Sequence, residues 1–309
     1  MDGKTLTDAL YSTLNEASTS SFMDARTSYD HLYEAACELV SRTWCLTSTQ
    51  AITTVADQTS YDLNADFLKL YLQNDRNEYV CKLNDGSSDY WLKWRDHQGI
   101  VLANNDDSIA IPWNFSIIDK SILDDPITGT ATSSGTLSNG ETILYDTSAP
   151  FANVKAGDAI HNTTDGSDGV VISVTSTSEL ITALFDGTDN DWDSSDAYVI
   201  VPGGRKQFIL DPPPSTDGYT ITLYYLQKPT PVYSSYRAYR FDPDYKRALV
   251  MYAAWLYKYR DRDPNFGDAF YKFFDLKCRE ANRNENSSRN RTGLRFNFKK
   301  RSYRDRSYR

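Results

Sequence analysis

The chain has 309 residues, of which 40% are hydrophobic, 13% aromatic and 24% charged, and its formal net charge is −9. That length suits two domains better than one small core, and the charge content argues against wholesale disorder. No run approaches the ~18 apolar residues of a membrane helix, Met1–Thr5 lacks the basic start of a secretory signal, and four scattered cysteines (Cys37, Cys45, Cys81, Cys278) without C-x-x-C spacing fit neither a zinc ribbon nor a disulfide scaffold, so the reducing cytosol is the expected compartment.

Helical spacing opens the chain. Leu6, Leu10 and Leu14 recur every fourth residue, with Thr5 or Thr7 as the expected cap. After the Ser18–Ser21 break, Ala25, Tyr29, Leu32, Tyr33, Ala36, Leu39 and Val40 keep one helical face to about Trp44, and Cys37 is expected to fill that helix's core as a small hydrophobe. From Gln50 the period becomes two. Ala51–Val55, Phe67–Leu72, Glu78–Leu83, Tyr90–Trp94 and Ser108–Trp113 predict short strands bounded by Gly, Asn and Asp clusters, with Asp57–Leu63 as a turn into a short extended piece.

Residues 126–201 change composition. They are rich in Thr, Ser, Gly and Asp, and Lys155 is their only basic residue. Glu141–Tyr145, Asp158–His161, Gly169–Thr175, Leu180–Phe185 and Ala197–Val201 predict strands separated by Gly/Asp turns, enough for a small β-barrel or sandwich. After Gly203-Gly204-Arg205, read as an exit hinge, Gln207–Leu210 and Tyr219–Leu226 resume the first sheet. Asp242-Pro243 and Asp263-Pro264 are start signals for two helices with stripes Tyr245, Ala248, Leu249, Tyr252, Ala253, Leu256, Tyr257 and Ala269, Phe270, Phe273, Phe274, Leu276. Tyr252, Leu256, Phe270 and Phe273 are expected to be buried between them. Asn282–Asn290 shows no apolar pattern and reads as an unstructured lead to the final arm.

The fold expectation is therefore α+β: N-terminal helices and a C-terminal helical hairpin packed with an antiparallel sheet or sandwich. The body spans 1–125 and 203–284, an inserted all-β domain 126–202, and an extended basic arm 285–309.

Catalytic constellations are scarce. His31, His97 and His161 have no partners at useful spacing, and no phosphate loop or nucleophile elbow occurs. No catalytic, cofactor or metal residues are assigned. Asp189, Asp191 and Asp193 match the first three ligand spacings of a calcium loop, but Ser194 and Ile200 replace its glycine and its bidentate acid, so a solvated acidic turn is the better reading.

The arm is more informative. Lys277–Arg309 carries net +9 and the rest of the chain −18, an asymmetry that marks an interaction segment. Arg301-Ser302-Tyr303-Arg304 is nearly repeated by Arg306-Ser307-Tyr308-Arg309, and Leu294, Phe296 and Phe298 alternate with Arg295, Asn297 and Lys299. Such alternation can add a strand to a neighbouring sheet edge, while the arginines and tyrosines suit an acidic or aromatic surface. A nucleic-acid arm is a competing reading of the same residues.

Ile52 to Phe67, with its T-x-Y-x-L-x-x-D-F-like piece, and Tyr224-Tyr225-Leu226-Gln227-Lys228-Pro229 before an aromatic helix resemble the head-to-tail adaptor, or neck, proteins of tailed bacteriophages over roughly 1–120 and 203–284. The resemblance implies a non-enzymatic virion protein, made in the host cytoplasm, that forms a homo-oligomeric ring of usually twelve copies between portal protein and tail or nozzle protein. Viral DNA would pass through the lumen, no membrane would be involved, and Leu294, Arg295, Phe296, Phe298, Lys299, Arg301, Tyr303, Arg304, Arg306, Tyr308 and Arg309 would dock on the portal. The alternative is a receptor- or fibre-associated virion protein that binds through residues 126–202.

Overall fold

The computed structural model describes residues 1–16, 23–71, 80–98, 100, 110–120, 125–133, 135–137, 140–260 and 264–289. It is an α+β structure. Helices α1 (Gly3–Leu14), α2 (Ala25–Thr43), α3 (Lys246–Arg260) and α4 (Pro264–Arg289) form one layer. The cap of α1 is Asp2 rather than Thr5 or Thr7. Its carboxylate accepts from the Thr5 backbone N–H at 2.8 Å and from the Thr5 hydroxyl at 2.8 Å, so a short acid at the boundary satisfies a first-turn donor. Gly3 is required where α1 meets the 234–238 segment, because a Cβ there would lie 2.2 Å from the Ser234 carbonyl oxygen.

Leu6, Leu10, Leu32, Leu39, Leu249, Ala253, Tyr257 and Phe274 are buried together as the helical core. The hairpin's inner face is rotated from the expected stripe. Tyr252 is buried, but Leu256, Phe270 and Phe273 are only partly covered, Ala269 and Leu276 are exposed, and Phe274 and Cys278 take the inner positions. Phe273 instead lies under the Arg247 guanidinium, 4.4 Å from its ring centroid. Cys37 is half-buried, and burial pushes its thiol up to about 11. The lead Asn282–Asn290 is also corrected: α4 continues through Arg289, and the Asn282 amide donates to the Arg42 carbonyl at 3.0 Å, tying this stretch to the end of α2.

Two sheets pack face to face beneath the helices. One contains β1 (Thr47–Thr53), β3 (Phe67–Leu70), β4 (Cys81–Asn84), β5 (Asp89–Trp91) and β15 (Thr220–Gln227); the other contains β2 (Ser60–Asp62), β6 (Lys93–Trp94), β7 (Asn114–Asp119) and β14 (Lys206–Asp211). β15 is central, pairing antiparallel with β1 from Thr47↔Leu226 to Thr53↔Thr220 and with β4 and β3 on its other side. Alternate residues fill the gap: Ile221, Leu223 and Tyr225 from β15 meet Phe115, Phe208 and Leu210, with the Phe115 and Phe208 rings stacked 5.4 Å apart. Of the strand expected at Ser108–Trp113, residues 108 and 109 lie outside the described residues, and the strand described is Asn114–Asp119, where Phe115 is buried and Ile117 packs against the same core. Leu92, fully buried, is the crossover between sheets: its N–H donates to Cys81 in the first, and the next residue, Lys93, donates to Trp113 beside the second.

Residues 127–201 form their own six-stranded sheet, in the order β8 (Ile127–Thr130), β13 (Ala197–Val201), β10 (Ala159–Asn162), β11 (Ser167–Ser176), β12 (Glu179–Phe185), β9 (Thr142–Tyr145). The chain after β8 bends at Ala131 and bridges β9 through Ser133↔Tyr145 and Thr136↔Thr142, so the sheet closes on itself as a small barrel. Closure removes the open edges that an isolated sheet would present. Its interior holds Leu144, Phe151, Ile160, Val171, Leu180, Trp192, Tyr198 and Ile200.

Candidate functional site

All eleven arm residues singled out above — Leu294, Arg295, Phe296, Phe298, Lys299, Arg301, Tyr303, Arg304, Arg306, Tyr308 and Arg309 — lie outside the described residues. The described part offers two kinds of functional geometry instead: the seam that holds the barrel against the body, and an aromatic surface at an open sheet edge.

The seam begins with strand periodicity. On β11 and β12 the inward residues Val171, Leu180 and Leu184 fill the barrel, yet the outward ones, Ile172, Ile181, Ala183 and Phe185, are covered too, because they pack on Tyr29 and Tyr33 of α2 and on Tyr233. The Tyr233 hydroxyl donates to Asp30 at 2.7 Å, which satisfies its polar end as a buried tyrosine requires. Charged contacts flank this patch. Glu141, fully buried at the start of β9, accepts from Arg237 Nη2 at 2.8 Å, from Arg237 Nε, and from the Ser234 hydroxyl at 3.0 Å. Arg26 on α2 reaches Asp168 on β11 at 3.4 Å. Asp168 also takes the His161 ring Nδ1, and that hydrogen bond, before any other contribution, holds its carboxyl below the ordinary carboxylate range.

At the exit from the barrel, Asp158, almost fully buried, accepts from the Gly203 N–H at 3.0 Å and from Arg205 Nη2 at 2.8 Å. The Gly203-Gly204-Arg205 segment is thus fastened to the barrel by its arginine. A half-open cleft of about 790 Å3 lies beside it between barrel and body, lined by Tyr33, Asp66, Lys120, Lys155, Arg205 and Lys228 among others.

The acidic turn after β12 is built around its tryptophan. Trp192 is fully buried, and its indole N–H donates to Thr182 at 2.8 Å. The flanking acids do different work. Asp196 is buried, accepting from the Asn162 amide at 2.9 Å and from the Asp193 N–H at 2.8 Å. Burial and then the like charges of Asp189 and Asp193 push the Asp191 carboxyl up. No group of three or more His, Cys, Asp or Glu side chains is arranged to hold a metal ion among the described residues.

The histidines are dispersed: His31 is half-exposed on α2, His97 is exposed after β6, and His161 is on β10. Among the described residues, no helix is long and apolar enough to cross a membrane.

The aromatic surface follows from the crossover at Leu92. Burying Leu92 turns its neighbours outward, so Tyr90, Trp91 and Trp94 are each 42% exposed and Trp113, across from Leu92, is 65% exposed. Trp91 lies beside Tyr224 on the outer face of the first sheet, with ring centroids 6.4 Å apart. Trp94 opens onto a groove of about 400 Å3 at the mouth of the sandwich, with Trp44, Phe67, Leu70 and Ile117. Sequence reading placed Tyr90–Trp94 in a strand but missed this surface. An unbroken pattern of two would have put either Trp91 or its neighbours inside; the single buried leucine in an otherwise exposed hexapeptide was the available signal.

A protein-family model described as SU10 adaptor protein matches residues 1–295. No curated protein matches the chain.

Proposed function

This chain belongs to the SU10 adaptor protein family, a family of phage structural adaptors, and from that premise we propose that it forms a ring between portal and tail, closing the DNA-filled head and giving the tail its seat. Membership makes it a virion component that associates with other phage head and tail parts. The finer reading is a ring of twelve copies whose lumen passes viral DNA, with the arm that follows Arg289, rather than one starting at 285, docking on the portal. The observation that carries it is the family match across nearly the whole chain. The exposed Trp94 and Trp113 at the sandwich edge add support, since clustered aromatic surface of this kind is enriched at protein contacts. The acidic body suits a lumen, because like charge keeps a DNA duplex mobile rather than bound. No catalysis is assigned.

The body at 1–125 and 203–289 would then be the ring-forming part, with the barrel fastened to it. The receptor-binding alternative gains little from the barrel: of its five rings Phe151, Trp192 and Tyr198 are buried, Phe185 faces the body and Tyr145 alone is half-exposed.

The test is co-assembly. The purified chain mixed with its phage's portal protein should appear by negative-stain microscopy as a twelvefold collar on one end of the portal. A chain that stays monomeric beside intact portals would overturn the proposal.

A further inference from the structure

We propose that the cleft between barrel and body receives the acidic turn Asp186–Asp196 of a neighbouring copy. This rests on the ring reading above and deepens it, because it assigns a contact between copies.

The cleft is a cationic place in a chain of net charge −9. Among the described residues its walls carry Lys120, Lys155, Arg205 and Lys228 against two carboxylates, Asp62 and Asp66. Lys120 reaches Asp62 at 3.7 Å and Arg205 reaches Asp158 at 2.8 Å. Lys155 is exposed and Lys228 half-exposed, and neither ammonium has a carboxylate within ion-pair distance among the described residues. Lys155 is also the only basic residue in 126–201, so the barrel's one cation stands at this cleft.

The acidic turn carries the complementary charge. Asp189 and Asp193 are exposed and Asp191 is half-buried. Arg26 of α2 reaches Asp168 at 3.4 Å and Asp186 at 4.0 Å, and no described Lys or Arg is within ion-pair distance of the other three. Burial and then mutual repulsion push the Asp191 carboxyl up, and a cation brought among these groups relieves that repulsion.

Topology keeps cleft and turn apart within one chain. The turn sits where β10 ends and β11 begins: the Thr188 N–H donates to the Asp165 carbonyl at 3.0 Å, and the Asn162 amide to that of Asp191 at 3.3 Å. The cleft is reached further along β11, at Ile172 and Ser173, roughly 16–20 Å away at the rise of an extended strand. Buried Trp192 and Asp196 anchor the turn to its own end of the barrel. A patch and its complement at opposite ends of one unit suit a head-to-tail contact, in which each copy gives its turn and receives its neighbour's, and which closes a ring when the rotation allows. Each ion pair in a half-open cleft contributes little alone, and repetition around the ring supplies the rest. A nucleic-acid duplex is the competing anion. It carries one charge per ~1.7 Å and would also meet Asp62, Asp66 and the acidic barrel wall, whereas a turn brings a few carboxylates to the lysines alone.

The experiment mixes isotopically light and heavy full-length copies with portal protein and treats them with a carbodiimide, which joins an amine to a carboxylate in contact with it. The expected result is heavy–light crosslinks between Lys155 or Lys228 and the 186–196 turn. K155E/K228E and D189K/D193K should each lower collar formation roughly tenfold with thermal unfolding unchanged, and a chain carrying all four changes, which restores opposite signs, should recover it. Collars that form without these crosslinks, or no recovery in the four-change chain, would overturn this contact alone. Wild-type chains that make no collar would overturn the ring reading and this contact together. Collars intact in K155E/K228E with duplex affinity lost would give the cleft to nucleic acid and overturn the proposal.

Discussion

Replacing Arg237 by Ala tests the seam between barrel and body at its most costly point. Glu141 is fully buried, and Arg237 gives it two charge-assisted hydrogen bonds beside the one from Ser234. Removing the arginine takes the cationic partner from a buried carboxylate. Each hydrogen bond to a charged group contributes ~1.5–3 kcal/mol, and breaking one side of a buried pair costs ~3–5 kcal/mol. The Arg237 side chain is itself 24% exposed, so water can reach the gap and the loss should fall at the lower end, about 3 kcal/mol. Urea unfolding followed by tryptophan fluorescence would measure it, with the midpoint read at constant slope. The double variant E141M/R237M removes both charges and keeps the volume, so it should lose less than half as much. If R237A costs under about 0.5 kcal/mol, or the double variant costs more than the single, the pair is not the lock argued here.

Four further outcomes follow from the same geometry. L249A or F274A should each cost ~3–5 kcal/mol in thermal or urea unfolding, whereas L256A, half-exposed, should cost clearly less. W192F should destabilise the barrel by ~1 kcal/mol through the lost hydrogen bond to Thr182, and a change of 3 kcal/mol or more would mean that the ring does not repack. Burial would raise the Asp146 carboxyl, but the Tyr198 and Ser148 hydrogen bonds outweigh it and hold the group below its ordinary 3.8; its stabilisation is complete above that value and is lost as pH falls through the folded one, so D146N should flatten the acid limb of the stability curve below about pH 4 and leave the curve's shape at neutral pH unchanged. Residues 125–204 expressed alone should unfold cooperatively as a closed barrel, and a non-cooperative melt would make the barrel dependent on its docking face.

Local chemistry made most elements legible. The four helices announce themselves because Leu6, Leu10 and Leu14, or Leu249, Ala253 and Tyr257, repeat at the helical period and lie on one buried face. Five of the six barrel strands are legible because Gly and Asp turns punctuate them at short intervals; β8, Ile127–Thr130, has a single large apolar residue and was not read as a strand. What escaped were features set by partners distant in sequence. Ala269 and Leu276 fit an apolar stripe, yet Arg42 of α2, which reaches Asp275 at 3.1 Å and the Tyr271 hydroxyl at 2.6 Å, fixes the rotation of α4 and turns them to solvent. Asn282–Arg289 lacks any apolar pattern, so only its contact with the end of α2 shows why a helix continues there.

The seam was illegible for a related reason. β11 and β12 read as one-sided barrel strands, but both of their faces are buried, and their outer face is matched by tyrosines that lie in α2 and at Tyr233, far away in the chain. No window of sequence contains both halves of that contact. Its consequence is mechanical. A barrel held by an apolar patch, by the buried Glu141–Arg237 pair and by the Asp158–Arg205 latch moves with the body rather than on a free tether. Any load applied to the barrel in a virion would therefore reach α2 and the 233–237 segment directly, and from there the N-terminus of α1, whose Gly3 and Lys4 amides donate to Arg237 and Ser235. The acidic insertion is in this sense part of the adaptor's framework, and Arg237 is the residue at which its two halves are joined.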